Sequence, residues 1–310
     1  MKSPWLLRFP PRPDAKVRLV CLPGAGSSAS MYYPWSTAFP PEVEVCAVQL
    51  PGRGGRLREE PYRRMEPLAD ALAEVVRAEC DRPLVLFGHS LGALIAYEVA
   101  ARLRDRHGGG AAALMVAAHK APHLGSARVS VNDLTDHDLL AFIDRLGGTS
   151  PAVLARPEIR ALALPALRAD FELDYTYAYR ERPPLAIPVS AFGGTADAIV
   201  SEAELAAWEP LTTGAFTHRQ LSGDHFFLTA PEGAAMLSLM RGQLLELAGC
   251  EQAQVPDHPE GMARSDRPGY PDRSGQADRP EPHEWPVRPD SGAALGDRLS
   301  REDRVSHVRG

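Results

Sequence analysis

Gly88-His89-Ser90-Leu91-Gly92 is the stretch with the most pointed chemistry. It sets a serine between two glycines, after a short apolar run and before a long helical pattern. In a sharp strand-to-helix reversal a serine at that position is pushed out at the sheet edge, above a helix N-terminus, where its hydroxyl can attack an acyl carbon. The flanking glycines remove side chains that so tight a turn would crowd. Such a nucleophile needs a base and an acid to orient it, following in the chain order Ser, Asp or Glu, His. His225, in SGDHFFL just past the last expected strand, is read as the base. The other histidines fit less well. His89 occupies the variable position of the turn, with its side chain directed away from the Ser90 hydroxyl. His107 lies beyond a surface helix, His218 inside a strand and His137 on a solvated helix, while His119 and His123 could line the pocket. Asp197, in FGGTADAIV at a strand end and 28 residues before His225, is read as the acid. The end of the preceding strand is the alternative position, but no carboxylate occurs there until Asp133. Asp224, next to the histidine, is read as a loop hydrogen-bonder.

CLPGAGSSA (21–29) contains the spacing G-x-G-x-x-A. Two chemistries use such a loop: a cradle for a dinucleotide's pyrophosphate, or backbone N–H groups that hold a developing oxyanion. A dinucleotide site also needs an acidic residue about twenty positions on, at the end of the next strand. There the chain reads Gln49-Leu50-Pro51, and Glu42 and Glu44 stand at that strand's beginning. The loop is therefore read as an oxyanion loop. Ala25, between two unobstructing glycines, and Leu91, after the nucleophile, are the expected backbone donors.

Positioning these groups takes a particular alternation of elements. Short apolar runs end at Gly, Pro, Ser or Asp over 16–24, 42–52, 82–90, 111–122, 186–197 and 215–225. Several are apolar almost throughout, as strands buried on both faces must be. Helical patterns over 65–80, 91–106 and 231–248 lie between and after them. The alternation predicts an α/β fold, a mostly parallel sheet with helices on both faces. Between 131 and 182 there is no strand signal, only helical stretches. About fifty residues is too long for an ordinary connection, so an inserted helical subdomain is expected. Its apolar residues, among them Leu139, Phe142, Leu162, Leu164, Leu167 and Phe171, would divide between a chamber and a small core of their own.

Composition limits what the molecule can do. A net charge of −6 argues against nucleic acid or an anionic membrane as partner. No apolar run approaches a membrane span, and the N-terminus lacks a signal-peptide core, so a cytoplasmic location is expected. Cys21, Cys46, Cys80 and Cys250 are scattered, as reduced thiols would be. After Cys250 the chain turns rich in Pro, Asp and Arg without periodicity. Residues 1–249 are read as one catalytic domain and 250–310 as a disordered tail. Arg53, Arg56 and Arg58 in LPGRGGRLRE (50–59) form either a partner-binding patch or a solvated loop.

With these residues placed, the chain resembles the type II thioesterases that accompany polyketide and nonribosomal peptide synthases. The matching pieces are CLPGAGSSA, VQLPGRGGRLREEP, FGHSLGALIAYEVA, LGGTSPAVLARPEIRALALPALRADFELDYTY, VSAFGGTADAIV and LSGDHFFL, in order over about 15–247. The resemblance implies an α/β-hydrolase fold, Ser90 as nucleophile, His225 as base, Asp197 as acid, and Ala25 and Leu91 as oxyanion donors. It also implies a lid made by the inserted helices, and acyl- or peptidyl-carrier proteins with phosphopantetheine-linked acyl groups as partners. No cofactor or metal enters such a reaction. A small-ester esterase, or an enzyme releasing a medium-chain fatty acid, would use the same scaffold.

Overall fold

The computed structural model describes residues 3–125, 134–145, 156–229 and 233–249. All of them lie within Met1–Val255, the first of two units into which the chain divides. The expected tail, Cys250 and Asp133 lie outside the described residues.

Seven strands form one sheet: β1 (Leu6–Arg8), β2 (Val17–Leu22), β3 (Val43–Val48), β4 (Leu84–His89), β5 (Ala113–Ala117), β6 (Val189–Gly194) and β7 (Phe216–Leu221). Their order is β1-β3-β2-β4-β5-β6-β7. All neighbours are parallel except β1, which pairs antiparallel with β3. Every residue of β2 to β6 is buried, which is why their sequences read as continuous apolar runs. Two charges break those runs and answer each other. Arg18 of β2 and Glu44 of β3 are register partners, and their side chains meet at 2.7 Å.

Alternating strand residues face two cores. One side packs Val20, Leu22, Leu86, Leu114 and Val116 beneath α2 (Met65–Glu79) and α3 (Leu91–His107). The other packs Leu19, Val45, Phe87 and Met115 against Tyr32 and Trp35, the latter opening the short α1 (Trp35–Ala38), and against Met236, Met240 and Leu244. Between β5 and β6 come α4 (Asp136–Arg145) and α5 (Pro157–Tyr175). They are followed by the short α6 (Glu202–Ala206) and by α7 (Gly233–Leu247), which supplies the three residues just named. The helices between β5 and β6 have a core of their own in Leu139, Ile143, Leu164 and Leu167, with Phe171 half-buried against it. Leu162 departs from its expected place: at 55% exposure it faces solvent. The side chain of Phe142 lies outside the described residues.

The strand order creates the site. From β2 the chain moves to β3 on one side; β4 then returns to β2's other side and the sheet grows away. The order therefore reverses between β2 and β4, and loops leaving their carboxyl ends diverge around a crevice. Leu22 and Gly88 are register partners there, so the loop beginning at Pro23 and the turn at Ser90 leave the sheet side by side.

Candidate active site

Ser90 caps the N-terminus of α3 with φ +53° and ψ −126°, a conformation rarely adopted by a residue with a side chain. Its amide donates to the Ala117 carbonyl at 2.8 Å, so β5 holds the turn from the side. The two glycines have a steric reason. A Cβ on Gly88 would lie 2.1 Å from the Gly92 carbonyl oxygen, and one on Gly92 would lie 2.2 Å from that of Leu22. No backbone gives way by that much.

The strands β6 and β7 bring the partners. Their register pairs Gly194 with Leu221, and Asp197 and His225 follow each strand by three and four residues. The Ser90 hydroxyl lies 3.0 Å from His225 Nε2. On the far side of the ring, Nδ1 lies 2.9 Å from Asp197 Oδ2. A carboxylate there takes a proton on Nδ1, so Nε2 is left to accept from Ser90. Burial alone raises the pKa of Asp197. The His225 contact and the Ile199 and Val200 amides, at 2.8 and 3.2 Å from Oδ1, outweigh that and hold the pKa below the ordinary carboxylate value. Asp224 is separate from this chain: its Oδ1 accepts from the Phe226 amide at 2.8 Å, as a loop-shaping residue does.

His89 has a role that its position in the turn did not announce. It is fully buried, and its Nε2–H donates to the His225 carbonyl at 2.8 Å. Its ring lies against those of His225 and Phe226. Burial, followed by the neighbouring His225, lowers its pKa to about 3, so the ring is neutral near pH 7. It thus braces the loop that carries His225 without adding charge beside it. The remaining histidines have other partners. His119 donates from Nδ1 to the Lys120 carbonyl, His123 stands exposed beside Tyr179, His107 meets Glu74, and the His137 side chain is 91% exposed. His218 lies within β7.

The loop after β2 comes to the elbow. A Cβ on Gly24 would stand 3.1 Å from His89 Nδ1 and 3.3 Å from Ser90 Cβ, so this backbone runs directly beside the serine. Ala25 is the next residue. Leu91 opens α3, and the helix itself leaves its amide unpaired.

Arg53 and Arg56 are not the surface charges of the sequence reading. Each is 6% exposed. Arg53 pairs with Asp170 of α5, and Arg56 pairs with Glu59 while its guanidinium lies over the Trp5 ring. The sequence reading does not single out Asp170, although a signal exists: it follows Leu164 and Leu167 at helical spacing and so falls on the apolar stripe. Among the described residues no helix is long and apolar enough to cross a membrane. Cys21, Cys46 and Cys80 are free thiols.

Comparison with known proteins agrees with this geometry. The thioesterase domain family matches residues 17–243. Thioesterase PikA5 of Streptomyces venezuelae is 38% identical over 259 residues, covering 83% of this chain and 92% of its own. The structure of the type II thioesterase BorB, from the borrelidin biosynthetic cluster, superposes with a TM-score of 0.73 at 38% identity, covering 79% of this chain and 99% of the other. RedJ, a thioesterase of the prodiginine pathway in Streptomyces coelicolor, gives 0.69 at 42%, covering 74% and 86%. An elbow serine at the switch point of a mostly parallel sheet and these matches lead to one assignment: the chain belongs to the thioesterase family, serine hydrolases of the α/β-hydrolase fold.

Proposed function

We propose that the protein hydrolyses acyl thioesters carried on the phosphopantetheine arm of acyl- or peptidyl-carrier proteins. It would thereby free synthase domains blocked by short or aberrant acyl groups. The observation that carries this reading is the unbroken hydrogen-bond chain from Asp197 through His225 to Ser90, set beside the Gly24–Ser27 loop. The likeness to type II thioesterases of polyketide and nonribosomal peptide pathways supplies the substrate class.

The steps follow from the residues. As Ser90 Oγ attacks the thioester carbonyl, its proton passes to His225 Nε2, and Asp197 stabilises the resulting imidazolium. The carbonyl oxygen becomes an oxyanion facing the Ala25 and Leu91 amides, each donor of this kind being worth about 3–4 kcal/mol of barrier. Collapse expels the pantetheine sulfur, which leaves with the proton held on His225, and an acyl ester remains on Ser90. Water then attacks that ester. His225 takes the water's proton and returns it to Ser90 Oγ, and the carboxylic acid departs. A small-ester esterase or a medium-chain fatty-acyl-releasing enzyme would use the same steps, so substrate choice separates the readings.

The test incubates the enzyme with carrier proteins loaded with acetyl, medium-chain and amino-acyl groups and follows each by mass spectrometry. Acyl-CoA and p-nitrophenyl esters run in parallel. Preferred turnover of the loaded carrier proteins is expected, with loss of turnover and of acylated Ser90 in Ser90→Ala. Faster turnover of simple oxoesters than of any carrier protein would replace this reading by the esterase one. Full activity of Ser90→Ala would remove the acyl-enzyme route.

A further inference from the structure

The oxyanion loop is held from the helix inserted between β5 and β6. Gly24–Ser27 is a type II turn. The Ser27 amide donates to the Gly24 carbonyl at 3.0 Å, and Gly26, its third residue, has φ +71°. A turn of this type is distinguished from its type I relative by the orientation of its middle peptide, the one joining Ala25 to Gly26. That peptide's N–H donates to Asp170 Oδ2 at 2.7 Å.

Asp170 is 2% exposed and belongs to α5, 144 residues away in the chain. Both its oxygens also accept from Arg53, at 2.5 and 2.7 Å. Arg53 in turn reaches the Ser27 carbonyl at 3.4 Å, so the carboxylate and the guanidinium grip the turn at successive residues. An apolar contact accompanies the polar one. Leu167, three residues before Asp170 and on the same helical face, has Cδ1 2.6 Å from where a Gly26 Cβ would be. The Ala25 side chain packs against the cluster to which Leu167 belongs.

Stability alone does not require a charge here, since an apolar pair of equal volume usually serves a buried site as well as an ion pair does. What a carboxylate adds is a directed acceptor for one particular amide. We propose that Asp170 is a positioning residue for the oxyanion hole: through the Gly26 N–H and Arg53 it fixes the turn that presents the Ala25 amide. Seating of the inserted helix and completion of the oxyanion hole are then one event. An enzyme whose α5 is displaced keeps its triad and loses transition-state stabilisation.

This inference rests on the acyl-enzyme reading, and the test separates the two. Asp170→Leu, which has a similar shape and no acceptor for the Gly26 amide, is compared with the parent on an acyl-N-acetylcysteamine thioester. Competent sites are counted by titration with a fluorophosphonate and folding is followed by thermal melting. Turnover per competent site should fall about 10- to 100-fold, the scale of a misplaced or lost oxyanion donor, with KM nearly unchanged. Affinity for a trifluoromethyl ketone, which forms a tetrahedral adduct, should fall by the same factor.

The Asp170→Leu substitution leaves the buried Arg53 uncompensated, so the neutral double variant Arg53→Met/Asp170→Leu serves if the single one fails to fold, with the same expected loss. Glu172→Gln is the control. Glu172 ties the same helix to Arg63 and Arg64 at 2.8 and 2.9 Å without touching the turn, and its loss should leave turnover within twofold of the parent. Normal turnover per site in the Asp170 variants, or an equal loss in Glu172→Gln, overturns the positioning role while the serine mechanism stands. Undiminished turnover in Ser90→Ala overturns the mechanism, and the proposal with it.

Discussion

The proton arrangement at His225 is set by its neighbours on either side. Asp197 is ionised through the neutral range because the His225 contact and two amides hold its pKa down despite burial. An asparagine there presents an amide that favours the opposite tautomer, with the proton on Nε2 and no acceptor for Ser90. Asp197→Asn should therefore lower turnover about 10⁴-fold, the scale of this change in a serine triad, while the fold persists. Steady-state kinetics with a melting curve decides it, and a loss below tenfold would mean that Asp197 does not orient His225. His89 allows a second prediction. Unfolded, its imidazole takes a proton near pH 6.5; folded, it does so only near pH 3, because it is buried beside His225. Between those values the unfolded chain binds the extra proton, so acidification from pH 6.5 downward favours unfolding, by at most about 1.4 kcal/mol per pH unit from this one site. Asp197, His119 and His225 lie near the ring, and Asp197 adds its own loss of stability in the acid limb as it protonates. His89→Gln keeps a donor for the His225 carbonyl but cannot titrate. Its melting temperature should fall less steeply than the parent's between pH 6.5 and 4, and parallel curves would show that His89 is protonated in the folded state.

Elements explain which parts of this were legible in the sequence. The interior strands could be read because burial on both faces leaves no polar period to confuse them, as in LVLFGH and ALMVA. β7 is less apolar, FTHRQL, since it closes an edge, and its place was found from the alternation around it. β1 escaped notice. Three residues among prolines carry no period, and what makes Leu6–Arg8 a strand is the edge that β3 offers. The elbow was legible because its glycines answer to local geometry: Gly88 and Gly92 are required by backbone a few residues away or one strand over. Arg53 and Arg56 were not, because a charge run looks the same whether water or a distant carboxylate receives it. Arg53 meets Asp170 across 117 residues of chain, a contact no local pattern encodes. The same holds for the inserted helices. Their amphipathic stripes are legible, but nothing local says which stripe faces the Gly24–Ser27 turn, because that is set by α5 lying against Gly26.

At the scale of the whole molecule, the question is how much of the chain the catalytic fold needs. The family match ends at residue 243, and BorB is covered over 99% of its length by 79% of this chain. A thioesterase fold of this kind is therefore complete within a chain shorter than the present one. The last described helix, α7, ends at Leu247 and already fills its place, with Met236, Met240 and Leu244 fully buried against the sheet. The sequence beyond Cys250 offers charged and proline-rich stretches with no apolar stripe to bury, and we propose that the catalytic fold does not need it. We expect a chain ending at Gly249 to melt within about 2 °C of the full-length protein, a shift of roughly 0.5–1 kcal/mol for a domain of this size, and to turn over acyl-N-acetylcysteamine thioesters at the same rate. Loaded carrier proteins make the comparison more informative, since a tail that meets the partner would leave the small-thioester rate untouched while changing KM for the carrier. A drop of more than about 5 °C in the shortened chain would instead place part of 250–310 in the folded core, and the domain boundary would have to move with it.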